Sequence, residues 1–238
     1  MKIALFGNGS MGHLVEACAA AAGHEIGSVI TSRDEDSNSE KLIERLLHHD
    51  VAIDFSVANA VLTNTQLCMR AGLPLVEGTT GWKAQEPDVK RAVEESNGAL
   101  VYGANFSIGV NVFYRLVQEA AALISALKDY EPFIEEAHHA RKRDAPSGTA
   151  LKIRDLMSRH YSREIPTSST RAGFIPGTHR VGFDSSVDEI LLTHTARSRQ
   201  GFAAGALFAA NWLIGKQGVF EFADVIEARL DQAADGIR

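Results

Sequence analysis

The sequence predicts an α/β protein in which a parallel-sheet domain is followed by a second, α+β domain with an open mixed sheet. Two patterns lead to this prediction. In the first part of the chain, short apolar runs alternate with segments of helical periodicity, which is typical of a parallel sheet covered on both faces. After Gly103 a long apolar helix precedes a cluster of strand-like segments, which indicates a sheet of mixed direction.

The strands of the first domain are predicted from five apolar runs: Ile3 to Phe6, Glu25 to Ile30, Val51 to Phe55, Leu73 to Val76 and Leu100 to Tyr102. The segments between them carry helical stripes, such as the one formed by Leu42, Ile43, Leu46 and Leu47. Strands that alternate with helices in this way predict parallel pairing.

The second domain is predicted to contain a helix over about 110–127, a further helix after Ser147, and three strands: Phe133 to Ala137, Arg180 to Phe183 and Glu189 to Thr195. Thr167 to Thr170 is polar and is predicted to be a mobile loop. The segments Phe202 to Ile214 and Phe220 to Leu230 are predicted to be helices that return to the first domain.

Composition narrows the function classes. The 238 residues are 45% hydrophobic and 23% charged, as in ordinary globular proteins, and no apolar run is long enough to predict a membrane span. The first strand begins at Met1, so we expect no signal peptide and a cytoplasmic protein with reduced cysteines. The net charge of -6 argues against nucleic acid as a partner, and no feature predicts a membrane partner.

The stretch "ALFGNGSMGHLV" contains Gly7, Gly9 and Gly12 in the pattern G-x-G-x-x-G, directly after a strand and at the start of a helix. Gly7 permits a tight turn, Gly9 lets the backbone approach a pyrophosphate, and Gly12 lets helix and strand pack closely. We therefore predict a Rossmann-like domain that binds a dinucleotide through the residues of this turn: Gly7, Asn8, Gly9, Ser10, Met11 and Gly12.

The end of the second strand leaves the choice of dinucleotide open. An acidic residue here would accept hydrogen bonds from the ribose of NADH, but Thr31, Ser32 and Arg33 hold the decisive positions. Arg33 could bind the 2'-phosphate of NADPH, whereas Asp34 could serve NADH after a small shift of the loop. A solvated charged loop is the alternative for each of these residues.

Two further stretches follow strands four and five, where a doubly wound sheet places its ligands. In "VEGTTGW", Gly78, Thr79 and Thr80 offer hydroxyls and free backbone groups. In "YGANFSIGVN", an amide and an aromatic ring could form a wall for a nicotinamide, through the residues Gly103, Ala104, Asn105 and Phe106. Either stretch could instead be a simple capped turn.

The stretch "EEAHHARKRDAPSGTA", Glu135 to Ala150, holds the densest chemistry. Ser147, Gly148 and Thr149 precede a helical pattern, so their hydroxyls and amides predict an anion site suited to a carboxylate. Lys142 can supply a positive charge and a proton, and Asp144 could orient the loop. His138 and His139 end a strand, where neighbouring side chains point apart, so we expect different roles for them.

This stretch resembles the signature of the dihydrodipicolinate reductases in its HHxxKxDAPSGTA form. Further stretches similar to that family follow in the same order along most of the chain: "GTTGW", "ANFSIGVNV" and "HTARSRQGFAAGALFAANWL". The resemblance implies reduction of a cyclic hydroxylated imine dicarboxylate with NADH or NADPH, with loss of water.

The resemblance also implies roles. His138 would be the general acid, Lys142 the proton donor near the ring nitrogen, and His139 a substrate contact. Ser147, Gly148, Thr149 and Thr80 would hold the carboxylates of the substrate. The glycine turn and the two loops at the ends of strands four and five would bind the cofactor.

The resemblance further implies a dinucleotide-binding domain over 1–106, a substrate-binding and oligomerisation domain over 107–199, and C-terminal helices over 200–238 that return to the first domain. It implies a homotetramer. The chain departs from the family in its shorter glycine loop, in lacking the acidic residue after the second strand, and in a shortened segment between Tyr161 and Arg171.

The same residues are compatible with two alternative functions. A metal enzyme would use Glu135, Glu136, His138, His139 and Asp144 as ligands, but alternation along a strand divides these side chains between two faces. A non-catalytic nucleotide sensor would share the fold but would not require the histidine, lysine and Ser-Gly-Thr set.

Overall fold

The computed structural model describes residues 1–34 and 38–235 of the chain, with side chains up to residue 232. It divides into two compact units. The first comprises Met1–Ile108 together with Arg199–Arg238, and the second comprises Gly109–Ser198.

The first unit contains a parallel sheet whose strands are β1 (Lys2–Phe6), β2 (Glu25–Ile30), β3 (Val51–Asp54), β4 (Leu75–Glu77), β5 (Ala99–Tyr102) and β10 (Gly218–Glu221). Their order across the sheet is β10-β5-β4-β3-β1-β2. The order reverses between β1 and β3, so this point at the carboxyl ends of the strands is where such a sheet binds ligands. The predicted parallel sheet is confirmed.

Helices cover both faces of this sheet: α1 (Ser10–Ala21), α2 (Ser39–Leu46), α3 (Val61–Arg70), α4 (Glu86–Glu95), α7 (Gln200–Leu213) and α8 (Phe222–Asp235). On one face, side chains of α2, α3 and α4 pack on Phe6, Ala52 and Leu75 of the strands. Strand residues 3–6 and 51–54 are almost all fully buried, which explains their continuous apolar runs.

The segment from Phe220 to Leu230 was predicted to be entirely helical, and this is wrong at its start. Gly218–Glu221 pairs in parallel with β5, and the helix begins only at Phe222. The side chain of Asp224 accepts a hydrogen bond from the Glu221 N–H at 2.8 Å, which fixes the change from strand to helix. This segment forms a strand because β5 offers a free edge for pairing, and such an edge cannot be recognised from the local sequence.

The second unit has a mixed sheet formed by β6 (Glu131–His138), β7 (Thr167–Arg171), β8 (Thr178–Asp184) and β9 (Glu189–Thr195), in the order β7-β6-β8-β9. Its helices are α5 (Ile108–Ile124) and α6 (Gly148–Ser158). Phe113 and Val117 of α5 pack with Ile134 of β6 and Ile153 of α6 in a separate core. The predicted mixed-sheet domain is therefore confirmed.

Thr167 to Thr170, predicted to be a mobile loop, instead belongs to strand β7. It pairs in parallel with β6, with Thr167 opposite Ile134 and Arg171 opposite His138. The sequence TSSTR has no apolar alternation because the strand lies at the edge of the sheet with largely exposed side chains. Backbone pairing stabilises it, and this leaves no hydrophobic pattern to read.

Among the described residues, no helix has the length and apolar character needed to cross a membrane.

Candidate active site

The glycine turn of the first unit has the geometry that a pyrophosphate requires. Gly7 has φ +92°, and a Cβ there would lie 2.7 Å from the Phe55 carbonyl oxygen, so only glycine fits. A Cβ on Gly12 would lie 2.4 Å from the Gly7 oxygen, whereas a Cβ on Gly9 would have no atom of the described residues within 4 Å. Open space above Gly9, next to the unpaired N–H groups that begin α1, fits a phosphate.

The other residues of this turn leave its backbone open to solvent. Asn8, Gly9 and Ser10 are exposed and Met11 is partly buried. Gly9 caps the helix without a side-chain hydrogen bond, and its carbonyl accepts from the His13 N–H at 3.1 Å. The first amides of α1 are therefore accessible to a ligand.

At the end of β2, Arg33 and Asp34, the residues expected to recognise the ribose end of a cofactor, differ in their side-chain contacts. Arg33 is exposed, as is Ser32, and its guanidinium has no ion-pair partner among the described residues. Asp34 accepts from the Thr31 N–H at 2.8 Å and from Arg45 at 2.5 Å, and these contacts lower its pKa. Asp34 holds the turn closed, so its carboxylate is not free to bind a ribose.

The loop after β4 is tightly built. A Cβ on Gly78 would lie 2.2 Å from the Phe55 ring, Thr79 is buried, and Thr80 is exposed. The indole N–H of Trp82 donates to the Thr79 carbonyl at 2.9 Å, which closes the loop. Thr80, predicted to contact the substrate, belongs to the first unit, whereas the other predicted substrate residues belong to the second.

The loop after β5 corrects one prediction. The Phe106 ring is 1% exposed and packs on Phe222 with ring centroids 4.7 Å apart, so it cannot form a wall for a nicotinamide. Asn105 accepts from the Ser107 N–H at 2.9 Å. Gly103 is partly buried and Ala104 is exposed, so the backbone of this loop remains available to a ligand. An aromatic residue at a strand end can serve the core as readily as a ligand.

In the second unit, strand β6 places Glu136 and His138 on the same, buried face. The exposed fractions of Glu136 and His138 are 2% and 9%. Ile134 is buried on the same face, whereas Glu135 is exposed on the opposite face. The imidazole Nδ1 of His138 forms a very short hydrogen bond with Glu136 Oε2. This contact makes Nδ1 the donor and leaves Nε2 as the nitrogen that can exchange a proton with a ligand.

Glu136 is held as an anion by several donors. Arg171 at the end of β7 contacts Oε1 at 2.6 Å, and the Ser147 N–H donates to the same oxygen at 3.3 Å. Burial alone would raise the pKa of Glu136, but hydrogen bonds from Arg171, Ser169 and His138 outweigh it and lower the pKa to about 2. A permanently charged carboxylate therefore lies behind the imidazole.

The surroundings of His138 keep its imidazole neutral in the free protein. Burial lowers the pKa of His138, and the Glu136 carboxylate only partly offsets this. His179 of β8 packs edge-on against it with ring centroids 5.1 Å apart, and burial lowers the pKa of His179 to about 4. Gly177, at φ +136°, approaches His138 so closely that a Cβ would lie 3.2 Å from Nε2.

The loop between β6 and α6 carries the remaining predicted residues. Lys142 forms an ion pair with Asp144 at 2.8 Å, and this contact lowers the pKa of Asp144, with a smaller contribution from the Gly148 amide. His139 is partly buried, and its buried Nδ1 has no hydrogen-bond partner in the described part of the chain. The adjacent histidines thus differ in environment, as their position at a strand end predicted.

Helix α6 begins as the Ser-Gly-Thr pattern predicted. Ser147 is its N-cap: the hydroxyl accepts from the Ala150 N–H at 3.2 Å and contacts His179 Nε2 at 3.1 Å. Because Ser147 is 2% exposed, its hydroxyl serves the helix and His179. Gly148 is exposed with nothing within 4 Å of its Cβ position, and Thr149 hydrogen bonds with Tyr114. Gly148 and Thr149 thus supply the first backbone amides of α6, and Gly148 is the exposed one of the two.

Arg171 and His179 were not predicted to belong to the site, and Glu136 was considered only as a possible metal ligand. The i, i+2 spacing of Glu136 and His138 could have indicated that they share a face. His179 lies opposite Glu136 in the β6–β8 register, and Arg171 lies opposite His138. These pairings depend on strand order, which no local pattern contains.

The metal alternative gains little from this arrangement. Ligand atoms of Glu136, His138 and His179 lie within 4.8 Å of one another. However, both Glu136 oxygens already accept hydrogen bonds, and the Arg171 guanidinium would face any cation placed there. Glu135 lies on the other face and contacts Arg180 at 3.6 Å.

Comparison with known proteins supports one family throughout. Residues 1–106 match the family model described as dihydrodipicolinate reductase, N-terminus, and residues 109–226 match the corresponding C-terminus model. A 4-hydroxy-tetrahydrodipicolinate reductase of Christiangramia forsetii is 40% identical over 95% of this chain and 98% of the relative. Another from Methanosarcina barkeri is 40% identical over 74% of this chain and 73% of its own length.

Solved structures agree on the fold. A dipicolinate-bound dihydrodipicolinate reductase from Paenisporosarcina sp. TG-14 covers 93% of this chain and 97% of its own, with a TM-score of 0.77 and 22% identity. A probable dehydrogenase from Thermotoga maritima covers 96% of this chain and 93% of its own, with a TM-score of 0.61 and 11% identity. Since both family models match and one relative matches over nearly its full length, the chain belongs to the dihydrodipicolinate reductase family, whose members are NADH- or NADPH-dependent oxidoreductases.

Proposed function

We propose that this chain reduces 4-hydroxy-tetrahydrodipicolinate to tetrahydrodipicolinate, with loss of water, in the diaminopimelate route of lysine biosynthesis. The names of the relatives support this substrate. The observation that carries the proposal is the buried His138–Glu136 pair, linked through Ser147 to the start of α6 within the signature stretch. This joins a proton carrier to an anion site, which a dianionic imine requires.

The proposal assigns cofactor binding to the first unit. Bound NADPH or NADH would supply the hydride for the carbon of the imine. The open backbone at Gly9 and the first amides of α1 would hold its pyrophosphate, and the exposed Arg33 would contact a 2'-phosphate. The backbone of the loops after β4 and β5 would line the nicotinamide end.

Substrate binding is assigned to the second unit. The N–H groups of Gly148 and Thr149 would donate hydrogen bonds to one carboxylate at the positive end of α6. Lys142, already paired with Asp144, would exchange that partner for the substrate, and the partly buried imidazole of His139 would contact it. Ser147 would act by capping the helix, and Thr80 would contribute from the first unit.

Proton delivery is assigned to His138. Addition of hydride to the conjugated imine leaves electron density that a proton must neutralise. His138 Nε2 would donate this proton, while Glu136 stabilises the cationic imidazole through Nδ1. Lys142 would donate near the ring nitrogen. Because the imidazole is neutral in the free protein, the negative charge of the bound substrate would raise the pKa of His138 and load it with a proton.

The organisation inferred from the sequence is also part of the proposal: dinucleotide binding by 1–106, substrate binding and oligomerisation by 107–199, and return of 200–238 to the first domain. A homotetramer built through the second unit is part of the same proposal; β9 in that unit leaves the apolar side chains of Ile190 and Leu191 40% and 45% exposed. Light scattering of the purified chain measures its mass, and a monomer would contradict this assembly. Fractionation of the cells that produce it tests the cytoplasmic location.

The decisive experiment monitors NADPH oxidation by absorbance with freshly generated substrate. We expect turnover by the wild type, and a loss of roughly two to four orders of magnitude in His138→Ala, with little change in affinity for NADPH. Unchanged turnover in this variant would remove His138 from the mechanism. Tight nucleotide binding without turnover by the wild type would favour the non-catalytic sensor instead.

A further inference from the structure

A pair of buried carboxyl groups lies outside the chemistry described above. Asp54 ends β3 and Glu77 ends β4, and the two residues lie directly opposite each other in the parallel register. Side chains at paired positions share one face of a sheet, and both residues are 0% exposed. In the described part of the chain, neither carboxyl group forms an ion pair with a cation.

The hydrogen bonds around the pair are unequal. Asp54 accepts from the Ser56 N–H at 2.7 Å, from the Asn64 amide at 2.7 Å and from the Thr79 hydroxyl at 3.3 Å. Glu77 accepts from the Thr79 N–H at 2.6 Å, and its buried Oε2 has no donor among the residues that the structure describes. Asp54 is thus equipped to remain an anion, whereas Glu77 is not.

Two adjacent negative charges without a cation would be expensive in this interior. Burial and the charge of Asp54 raise the pKa of Glu77 well above its ordinary value. Burial also raises the pKa of Asp54, but its hydrogen bonds, including one with Glu77, oppose this. The group that carries a proton is therefore Glu77.

We propose that Glu77 is protonated at neutral pH, that it donates to the Asp54 carboxylate, and that this pair positions the Gly78–Gly81 loop for the cofactor. Thr79 connects the pair to the loop, since its N–H binds Glu77, its hydroxyl binds Asp54 and its carbonyl binds Trp82. The effect on the cofactor rests on the proposed function. The shared proton itself does not.

Other ionisable groups near the pair do not provide a competing charge. On the α3 side, Cys68 is fully buried, and burial, with a further contribution from the Asp54 carboxylate, raises its thiol pKa well above the ordinary value. Tyr102 of β5 lies opposite Glu77 in register, and its hydroxyl contacts Glu86 and Glu221 at 3.3 Å each. The cation beside it, Lys90, is already paired with Glu86 at 2.7 Å. Helix α7, on the other face, contains no charged residue.

The shared proton predicts a direction for pH dependence. Because the folded pKa of Glu77 lies above the unfolded value of about 4.3, the folded protein binds more protons between these two pKa values. Stability from this group is complete below the unfolded pKa and is lost as pH rises through the folded pKa. Within that window the folding equilibrium constant falls by up to about tenfold per pH unit.

Infrared spectroscopy of the wild type in heavy water tests the protonation directly. Exposed carboxyl groups are ionised at pH 7, so a remaining carboxylic-acid carbonyl band reports a buried acid. We expect this band in the wild type and its loss in Glu77→Gln. Glu221→Gln, which alters an exposed glutamate at the end of β10, should retain it. No acid band in the wild type at pH 7 would overturn the proposal without any variant being needed.

Unfolding and cofactor affinity between pH 6 and 9 test the consequences. Glutamine keeps a neutral donor at every pH, so the stability of Glu77→Gln relative to the wild type should rise steadily from pH 6 to pH 9. Its affinity for NADPH should stay constant over a range in which wild-type affinity falls. Parallel stability curves for the two proteins would refute the shared proton. If neither protein binds NADPH, the assigned cofactor is wrong, but the shared proton is still tested by the infrared band.

Discussion

The Glu136→Gln substitution separates a role in positioning the imidazole from a role in folding alone. Glutamine preserves the shape of the side chain but removes the charge behind His138 and the anion that pairs with Arg171. Its amide can also donate to Nδ1, which would reverse the hydrogen bond and change the tautomer of His138. Both changes reduce the capacity of Nε2 to carry and deliver a proton.

The structure sets the size of the expected effect. A Glu136 pKa of about 2, against an ordinary 4.5, corresponds to about 3 kcal/mol of preferential stabilisation of the anion. Loss of one charge-assisted hydrogen bond costs about 1.5–3 kcal/mol, so kcat should fall by about 10- to 150-fold. Arg171 would keep its hydrogen bonds to the Thr170 and Asp144 carbonyls but lose the carboxylate, which should destabilise the fold by about 1.5–3 kcal/mol.

The pH profile distinguishes positioning from instability. His138 must be protonated to act as an acid, so kcat/KM should fall as pH rises through its pKa, which lies below the ordinary value in the free protein. Glu136 raises that pKa, so Glu136→Gln should move the descending limb to lower pH. Substrate binding raises the pKa, so the wild-type limb in kcat should lie at higher pH than the limb in kcat/KM.

The assay is NADPH oxidation from pH 5 to 8.5, with urea unfolding of each protein as the measure of stability. Glu135→Gln is a matched control, because Glu135 neighbours Glu136 in the strand but is exposed and contacts only Arg180 at 3.6 Å. We expect the control to match the wild type. If Glu136→Gln loses activity without any shift of its descending limb, the positioning argument fails.

Two further substitutions test other parts of the site. Gly177→Ala should cost about 1–3 kcal/mol in unfolding free energy and lower kcat, because its φ is +136° and the new Cβ would lie 3.2 Å from His138 Nε2. Gly173→Ala, also at positive φ but with nothing within 4 Å, should reduce stability alone, and equal kcat losses in the two variants would contradict crowding at Nε2. Arg33→Asp should shift preference towards NADH, because it replaces an exposed cation by a carboxylate that can bind ribose hydroxyls. Michaelis constants for both cofactors measure this, and an unaltered ratio would show that the loop does not read the phosphate.

Several features could be predicted from the sequence because they depend on local patterns. Buried parallel strands form continuous apolar runs, so β1 and β3 could be predicted from such runs in the sequence. The glycine turn could be predicted because a Cβ at Gly7 or Gly12 would clash with backbone atoms, so both positions must be glycine. The start of α6 was visible because a serine cap and helical periodicity are both local.

Errors arose where pairing overrides local preference. The segment Thr167–Arg171 has no strand pattern, yet β6 recruits it as an edge strand. Gly218–Glu221 forms the outer strand beside β5, although it had been assigned to a helix in part. Phe106 was expected to face a ligand, but Phe222, more than a hundred positions away, covers its ring.

The sequence by itself determined the class of each domain, the dinucleotide turn and the resemblance to a reductase family, because periodicity, glycine spacing and a signature are properties of neighbouring residues. Only the tertiary structure decided what surrounds His138. Strand order brings Arg171 and His179 from distant segments onto Glu136, and burial then fixes which groups are charged. Protonation depends on neighbours in space, and those neighbours are chosen by folding.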